Sequence, residues 1–268
     1  MKTNKDVRIA VLIDADNIPS TNIKAMMEEI AKYGSPTFKR IYGDWTKPNL
    51  NSWKNILLEN AITPIQQYGY TTGKNATDSA MIIDAMDILY TEKVDAFCIV
   101  SSDSDFTRLA TRLRESGMTV IGLGEKKTPN PFIVACDKFI YIEILNIPID
   151  EPKITVDVSK GKKEIKPPHR ETLKKIDKET IQLISATIID LADDSGWAFL
   201  GEVGNLILKK QPDFDPRNFG FGKLALLIKS IPKFEVDERD THSNFKFVMR
   251  YHATTSPSYC LPPGAKCQ

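Results

Sequence analysis

Apolar and polar residues alternate along the first half of the chain in a pattern that predicts strands and helices in turn. Short, wholly apolar runs such as Ile9–Ile13 and Ala96–Val100 predict buried strands. Longer stretches with apolar residues at helical spacing, such as that through Met81 and Ala85, predict helices. We expect strands at Arg8–Asp14, Thr37–Tyr42, Ile62–Tyr68, Ala96–Ser101, Met118–Leu123 and Phe139–Glu143, and helices at Ile23–Tyr33, Ser52–Asn60, Asp78–Thr91, Phe106–Ser116 and Asn130–Lys138. Repeated strand–helix units favour a mostly parallel α/β sheet with helices on both faces, assigned to a domain at 1–148.

The pattern changes character in the second half of the chain. Nine Lys or Arg and five Asp or Glu lie between Glu151 and Lys178, with three prolines, which predicts a basic linker at 149–177. This linker is either a strap that contacts nucleic acid or a solvated tether. Three apolar-periodic helices and two β-like runs then predict a small winged-helix domain at 178–251. The two runs are Phe234–Val236 and Phe245–Met249, and the polar segment Asp237–Asn244 between them is predicted to be a turn. The Pro-, Ser- and Thr-rich segment 252–268 is predicted to be a disordered tail.

Composition and charge limit the classes of partner. The formal net charge of +1 predicts no partner, so nucleic acid would have to bind through local basic patches. The sequence contains no apolar stretch that could span a bilayer and no signal-peptide core, so we expect a cytoplasmic protein without membrane contact. Cys98 and Cys136 are predicted to be buried apolar residues. Cys260 and Cys267 fit no common zinc spacing, and their role stays open.

Acidic residues follow two of the predicted buried strands. Asp14 ends the first strand, Asp103 and Asp105 follow the fourth, and Asp78 begins the third helix. The carboxyl ends of neighbouring parallel strands form the crevice in which such sheets bind ligands. Carboxylates that converge repel one another unless a cation joins them or some are protonated, and hard divalent cations such as Mg²⁺ prefer oxygen ligands. These acids therefore predict a divalent-metal site that acts on phosphate groups.

Each of these acids also has a structural interpretation. Polar residues before a helix often cap its first turn, and Asp16, Thr77 and Ser104 suit that role. A single such residue is more often a cap than a catalytic group, but capping alone does not explain acids at three separate elements. Asp84 lies off the helical face of Asp78, so we expect it to support the site or to lie at the surface.

Other catalytic classes fit the chain poorly. All three histidines lie outside the predicted α/β domain, and there is no GxxxxGK[ST] phosphate-binding loop. The Asp14-x-Asp16 pair is also found in haloacid-dehalogenase-like phosphatases, but Asn17 and Ile18 fit that pattern badly. A Toprim-like site would need an earlier strand-end Glu that the chain lacks.

The first domain resembles a NYN domain, a branch of the PIN-like ribonucleases, over roughly residues 7–147. The resemblance rests on four segments, 11–18, 78–86, 100–106 and 136–141. It implies a Rossmann-like sheet and metal-dependent endoribonuclease activity with Mg²⁺ or Mn²⁺. Carried over by position, the implied metal ligands and catalytic acids are Asp14, Asp78, Asp103 and Asp105, and Asn17 would orient the site or the scissile phosphate. The sequence departs from the family pattern at Ser102 and in the loop 74–77.

The second domain resembles an OST-HTH/LOTUS domain through segments 196–204, 214–220 and 223–228. That family implies RNA binding, to single-stranded or structured RNA, with G-rich RNA as a candidate target; some members bind proteins instead. The candidate RNA contacts are Lys74, Lys126 and Lys127 in the first domain and Lys209, Lys210, Arg217, Lys223 and Lys229 in the second. The alternative for each is an ordinary solvated side chain. A homodimer is also left open.

Two functions follow from these features. The first is a metal-dependent endoribonuclease whose winged-helix domain recruits RNA. The alternative is a catalytically silent RNA-binding adaptor protein that uses the acidic pocket for docking. The full set of four acids favours the nuclease.

Overall fold

A computed structural model gives the structure of the protein and describes residues 7–68, 76–145, 174–241 and 244–251. Contacts divide the chain into two compact units, which are Met1–Ile149 with Ile207–Asn218, and Asp150–Leu206 with Phe219–Gln268. Lys74, the predicted linker up to residue 173, the predicted tail, the three histidines, Cys260 and Cys267 lie outside the described residues.

The first unit contains a six-stranded sheet with helices between its strands. Its strands are β1 Arg8–Asp14, β2 Ser35–Gly43, β3 Thr63–Gln66, β4 Ala96–Val100, β5 Thr119–Gly124 and β6 Lys138–Tyr141. Its helices are α1 Ile23–Ile30, α2 Trp53–Glu59, α3 Ala76–Tyr90, α4 Thr107–Glu115 and α5 Asn130–Ala135. Short 3₁₀ helices lie at Ser20–Asn22, Pro48–Leu50, Ser104–Phe106 and Ile142–Ile144.

The strand order β3-β2-β1-β4-β5-β6 places β1 and β4 side by side at the centre of the sheet. All five strand pairings are parallel. From β1 the chain adds β2 and β3 on one side of the sheet. It then crosses back and adds β4, β5 and β6 on the other side of β1. Such a reversal between neighbouring strands is a topological switch point, and it opens a crevice at their carboxyl ends. The structure confirms the predicted α/β class and places the ends of β1 and β4 at this crevice.

Burial explains why the central strands are wholly apolar. Ile9–Ile13 of β1 are fully buried, as are Phe97–Val100 of β4, because helices cover both faces of a parallel sheet. The helices are amphipathic. Helix α4, for example, buries Leu109, Ala110 and Leu113, and three of its other residues are arginines. It ends before Gly117, whose φ of +81° favours glycine.

The helices and strands of the C-terminal domain agree with a winged-helix arrangement. They are α6 Lys178–Leu191, β7 Ala198–Phe199, α7 Leu200–Lys210, α8 Leu224–Lys229, β8 Phe234–Thr241 and β9 Asn244–Tyr251, with a 3₁₀ helix at Pro216–Phe219. The side chain of Asp177 caps α6 by accepting a hydrogen bond from the Thr180 amide at 2.7 Å. The last residues of α7 and the segment through Asn218 are grouped with the first unit.

The antiparallel sheet of this domain differs from the sequence prediction in two ways. Its order is β7-β9-β8, and β8 and β9 pair from Phe234 with Tyr251 to Thr241 with Asn244, well into the polar run that we expected to be a turn. An edge strand can carry polar residues because one side of it faces water. Strand β7 was missed because two residues are too few to show a period.

Two smaller predictions concern burial and membranes. Cys98 and Cys136 are free and buried, as predicted. Among the helices of the described residues, none is both long and apolar enough to cross a membrane.

Candidate active site

Three acidic side chains meet at the carboxyl edge of the sheet, beside the switch point. Asp78, Asp103 and Asp105 each offer one carboxylate oxygen, and these oxygens lie within 4.8 Å of one another. Asp78 lies in the first turn of α3, whereas the other two follow β4 directly. We name this group the acidic trio. The spacing of these three oxygens is close to the distance of about 4–5 Å between oxygen ligands on opposite sides of one hard divalent cation.

Asp103 has a structural role as well as a place in the trio. It is the N-cap of the 3₁₀ helix Ser104–Phe106, with φ −91° and ψ 133°, and its Oδ1 accepts a hydrogen bond from the Asp105 amide at 2.9 Å. The cap is thus Asp103 and not Ser104, which the sequence had favoured. Because this cap fixes the backbone between the two acids, it also fixes how their side chains emerge from the loop.

Asp14 lies beside the trio but is not one of its members. It ends β1, is fully buried, and accepts hydrogen bonds from Asn17 Nδ2 at 2.6 Å and Ser101 Oγ at 2.8 Å. The amide of Asp16 donates to it at 3.1 Å. Burial raises the pKa of Asp14, and these hydrogen bonds oppose that rise. Asn17 therefore orients Asp14 in this structure.

The electrostatics of the trio favour a bound cation. Burial raises the pKa of Asp78, and the negative charges of Asp14, Asp103 and Asp105 raise it further, to about 6. The ionised form of Asp78 is therefore costly while the neighbouring charges are uncompensated. A divalent cation would remove that cost, and the all-oxygen donor set fits Mg²⁺ or Mn²⁺.

Sequence reasoning missed the part that Ser101 plays in this arrangement. Ser101 is fully buried, its hydroxyl donates to Asp14, and the same oxygen accepts a hydrogen bond from the Asp103 amide at 3.1 Å. It thereby connects the ends of β1 and β4. A hydroxyl residue directly after a buried strand was the available signal, but its partner on β1 is 87 residues away.

The position where the chain departs from the family pattern also has a defined partner. The Ser102 hydroxyl accepts a hydrogen bond from the Glu125 amide at 2.9 Å, in the loop after β5. That loop carries Lys126 and Lys127, which are both exposed. Lys127 Nζ lies 2.5 Å from a carboxylate oxygen of Glu125. Lys126 and Lys127 therefore lie on a loop that is hydrogen-bonded to the loop carrying Asp103 and Asp105.

The remaining basic candidates differ in exposure. Lys209, Lys210, Lys223 and Lys229 are exposed, whereas the side chain of Arg217 is only 15% exposed. Arg217 donates to both oxygens of Glu29, at 2.8 and 2.7 Å, and also to Asp215. Burial by itself would raise the pKa of Glu29, but hydrogen bonds from Arg217 and Lys32 outweigh it and lower that pKa to about 2. The guanidinium of Arg217 is thus committed to a buried ion pair.

The fold and the acidic trio together are those of a PIN-like α/β domain, with carboxylates suited to a divalent metal at the carboxyl ends of its central strands. The model of the NYN domain family matches residues 8–143, about half of the chain, and the chain belongs to this PIN-like nuclease family. The model of the OST-HTH/LOTUS domain matches residues 171–245, and domains of this family bind RNA. Both families agree with the resemblances drawn from the sequence. PIN-like nucleases of this family generally depend on a divalent metal.

Solved structures similar to the chain come from three bacteria. A protein of unknown function from Vibrio parahaemolyticus is 21% identical, with 53% of this chain and 96% of that chain covered and a TM-score of 0.45. An uncharacterised protein from Nitrosomonas europaea is 28% identical, with coverages of 37% and 96% and a TM-score of 0.32. A protein from Chromobacterium violaceum is 29% identical, with coverages of 33% and 96% and a TM-score of 0.26. None of the curated proteins matches the chain.

Proposed function

We propose that the protein is a metal-dependent endoribonuclease that hydrolyses phosphodiester bonds in RNA and uses Mg²⁺ or Mn²⁺. The observation that carries this proposal is the acidic trio, whose oxygens lie within 4.8 Å of one another at the switch point of the sheet. Capping accounts for one of its members, Asp103, but capping does not require three carboxylates to share one small volume. Membership of a nuclease family supplies the class of reaction.

The residues of the site would divide the work between them. Asp78, Asp103 and Asp105 would hold the ion, which would polarise the scissile phosphate and activate a water for attack. Asp14 would add a buried negative charge next to the trio. Its hydrogen bond with Ser101 would keep the loop of Asp103 in place, since Ser101 contacts both residues.

We propose that the C-terminal domain recruits the RNA. Exposed lysines would contact its phosphates, and they include Lys126, Lys127, Lys209, Lys210, Lys223 and Lys229. We leave Arg217 out of this set because its guanidinium is bound by Glu29 and Asp215. A G-rich target, a homodimer and a cytoplasmic location stay predictions of the sequence.

The variant Asp103→Asn tests the proposal. Asn caps helices about as well as Asp, so the 3₁₀ helix after β4 should keep its geometry while the charge of the ligand is lost. Removing the outer partners of metal ligands typically costs about 10–100-fold, so loss of a ligand charge should lower the cleavage rate by at least about 100-fold. Affinity for RNA should stay within about twofold, because the proposed lysine contacts with the other phosphates lie elsewhere.

The assay compares wild type, Asp103→Asn and Asp87→Asn on mixed single-stranded and structured RNAs, with Mg²⁺, Mn²⁺ or a chelator. Asp87 is an exposed acid of α3 outside the trio, and its variant should cleave like wild type. Undiminished metal-dependent cleavage by Asp103→Asn would refute the proposed site. Tight binding of Mn²⁺ and RNA by wild type without any cleavage would favour the catalytically silent adaptor instead.

A further inference from the structure

A second carboxylate of α3, Asp84, is bound on both of its oxygens by residues of β2. Arg40 Nη1 donates to Oδ1 of Asp84, and the hydroxyl of Tyr42 donates to Oδ2. The Arg40 and Asp84 side chains are 30% and 21% exposed, and Tyr42 is fully buried. Arg40 also lies over the ring of Phe38, with its guanidinium carbon 5.4 Å from the ring centre. Asp84 is therefore held in one place by an ion pair and a buried phenol.

Asp84 lies on the same helix as Asp78 but does not belong to the acidic trio. Six residues separate them, which is about 9 Å along a helix and about 240° around its axis. Asp84 therefore points to the sheet surface near β2, while Asp78 points to the loop after β4. A rotation of α3 about its axis would move both carboxylates together.

The apolar contacts of α3 prevent large rotations, because these would expose its buried side chains, but they leave room for small ones. The side chains that α3 buries are Met81, Ala85 and Ile88, together with Leu89. Contacts between alkyl groups have little directional preference, and a methionine side chain adapts to many shapes. Charge-assisted hydrogen bonds, by contrast, weaken steeply when their geometry changes. The two bonds to Asp84 are thus directional contacts between α3 and β2.

The anchor on β2 is also tied to the end of β1. Tyr42 pairs with Asp14 in the sheet, and its carbonyl accepts a hydrogen bond from the Ala15 amide at 3.0 Å. Burial and the hydrogen bond to Asp84 raise the pKa of Tyr42 well above its usual value, so its hydroxyl stays a donor. One residue of β2 therefore contacts the backbone next to Asp14 and the helix that carries Asp78.

We propose that Asp84 is a positioning residue that sets the rotation of α3 on the sheet and thereby holds Asp78 within the acidic trio. Asp84 lies outside the acidic trio, so this role is one of positioning and needs no contact with the ion or the substrate. Its effect on catalysis rests on the function proposed above, whereas its effect on the position of Asp78 does not. Asp103→Asn tests the metal site, whereas Asp84→Asn and Tyr42→Phe test what holds Asp78 in place, so the two experiments answer separate questions.

The principal test compares the variants Asp84→Asn and Tyr42→Phe with wild type in the full chain. The side chain of Asn has only one acceptor oxygen, so it can accept from Tyr42 or from Arg40 but not from both, and it lacks the charge that attracts Arg40. Affinity for Mn²⁺, measured by calorimetry at pH 7.5, should fall by about 10-fold in Asp84→Asn. Tyr42→Phe keeps the ion pair and should lose less. In RNA cleavage, kcat should fall while KM changes by less than about twofold.

Asp95→Asn is the matched control. Asp95 also binds an arginine through both oxygens, since Arg8 Nε and Nη2 donate to it at 2.9 and 3.1 Å. It directly precedes β4, however, so it lies at the amino ends of the strands, away from the acidic trio. Both side chains of that pair are 34% exposed. Tm and Mn²⁺ affinity are measured for both variants. For Asp95→Asn we expect a fall in Tm without a change in Mn²⁺ affinity.

A crystal structure of metal-free Asp84→Asn decides the question independently of catalysis. We expect the carboxylate of Asp78 to lie beyond 4.8 Å from those of Asp103 and Asp105, the distance that contains all three in wild type. If the trio keeps its spacing, or if Asp84→Asn binds Mn²⁺ as wild type does, Asp84 is an ordinary stabilising residue and the inference is wrong. If wild type binds no Mn²⁺, the proposed function fails and the crystal structure alone decides the positioning role.

Discussion

Binding of Mn²⁺ should weaken about tenfold between pH 7 and pH 5, because Asp78 has to lose its proton before it can coordinate the ion. The pKa of Asp78 is raised from 3.8 to about 6 by burial and by the neighbouring acids. With that pKa, about nine-tenths of the carboxyl groups are ionised at pH 7 and about one-tenth at pH 5. An aspartate with an ordinary pKa would stay more than about nine-tenths ionised at both values.

The same raised pKa predicts how the stability of the metal-free protein depends on pH. Ionisation of Asp78 costs more in the folded protein than in the unfolded chain, so its stabilising contribution is present below pH 3.8 and is lost as the pH rises through about 6. Bound Mn²⁺ compensates the charge. The increase in Tm on adding Mn²⁺ should therefore be large at pH 7.5 and small at pH 5.

Calorimetry of Mn²⁺ binding between pH 5 and pH 7.5 provides the measurement. Asp78→Asn should bind weakly and lack the tenfold change, whereas Asp87→Asn, which alters an exposed acid of the same helix outside the trio, should keep it. A wild-type affinity that changes by less than about twofold over this range would show that Asp78 does not limit metal binding.

Two further predictions concern packing and the buried ion pair. In Gly124→Ala the new Cβ would lie 2.6 Å from the carbonyl oxygen of Ser101, so the loop of the site must shift. Denaturant unfolding should show that the free energy of unfolding falls by about 1–3 kcal/mol, and Mn²⁺ should bind more weakly. An unchanged affinity for Mn²⁺ would contradict this. Arg217→Ala leaves the carboxylate of Glu29 buried without its main partner, and should lower the free energy of unfolding by about 3–5 kcal/mol. Arg8→Ala breaks a more exposed pair and should cost clearly less, so equal losses would argue against a special role for burial.

The pattern of the sequence was sufficient to predict the strands and the class of the first domain. Strand β1 begins and ends where expected, at Arg8 and Asp14, and the predicted fourth strand differs from β4 by one residue. Buried parallel strands require continuous apolar runs, and helices require a period of 3.6, so both signals are local in the chain. The positions of the acids at strand ends followed from the same local pattern.

The tertiary structure decided which side chains contact one another. It brings Asp78 next to Asp103 and Asp105, while Asp14 lies beside them with both oxygens hydrogen-bonded, Oδ1 by the Asp16 amide and Oδ2 by Asn17 and Ser101. It also pairs Arg217 with Glu29 across 188 residues of sequence. No local period carries this information, since partners of this kind are set by the order and register of the strands.

The sequence by itself therefore determined the strand–helix pattern and class of the first domain, the place of the acids at its strand ends, and the two families. Only the tertiary structure determined that Asp84 is bound to Arg40 and Tyr42, and that Ser101 joins the ends of two strands. The physical reason is the range of the interactions. Hydrophobic periodicity acts within one element, whereas a hydrogen bond depends on two groups that packing brings within about 3 Å from distant parts of the chain.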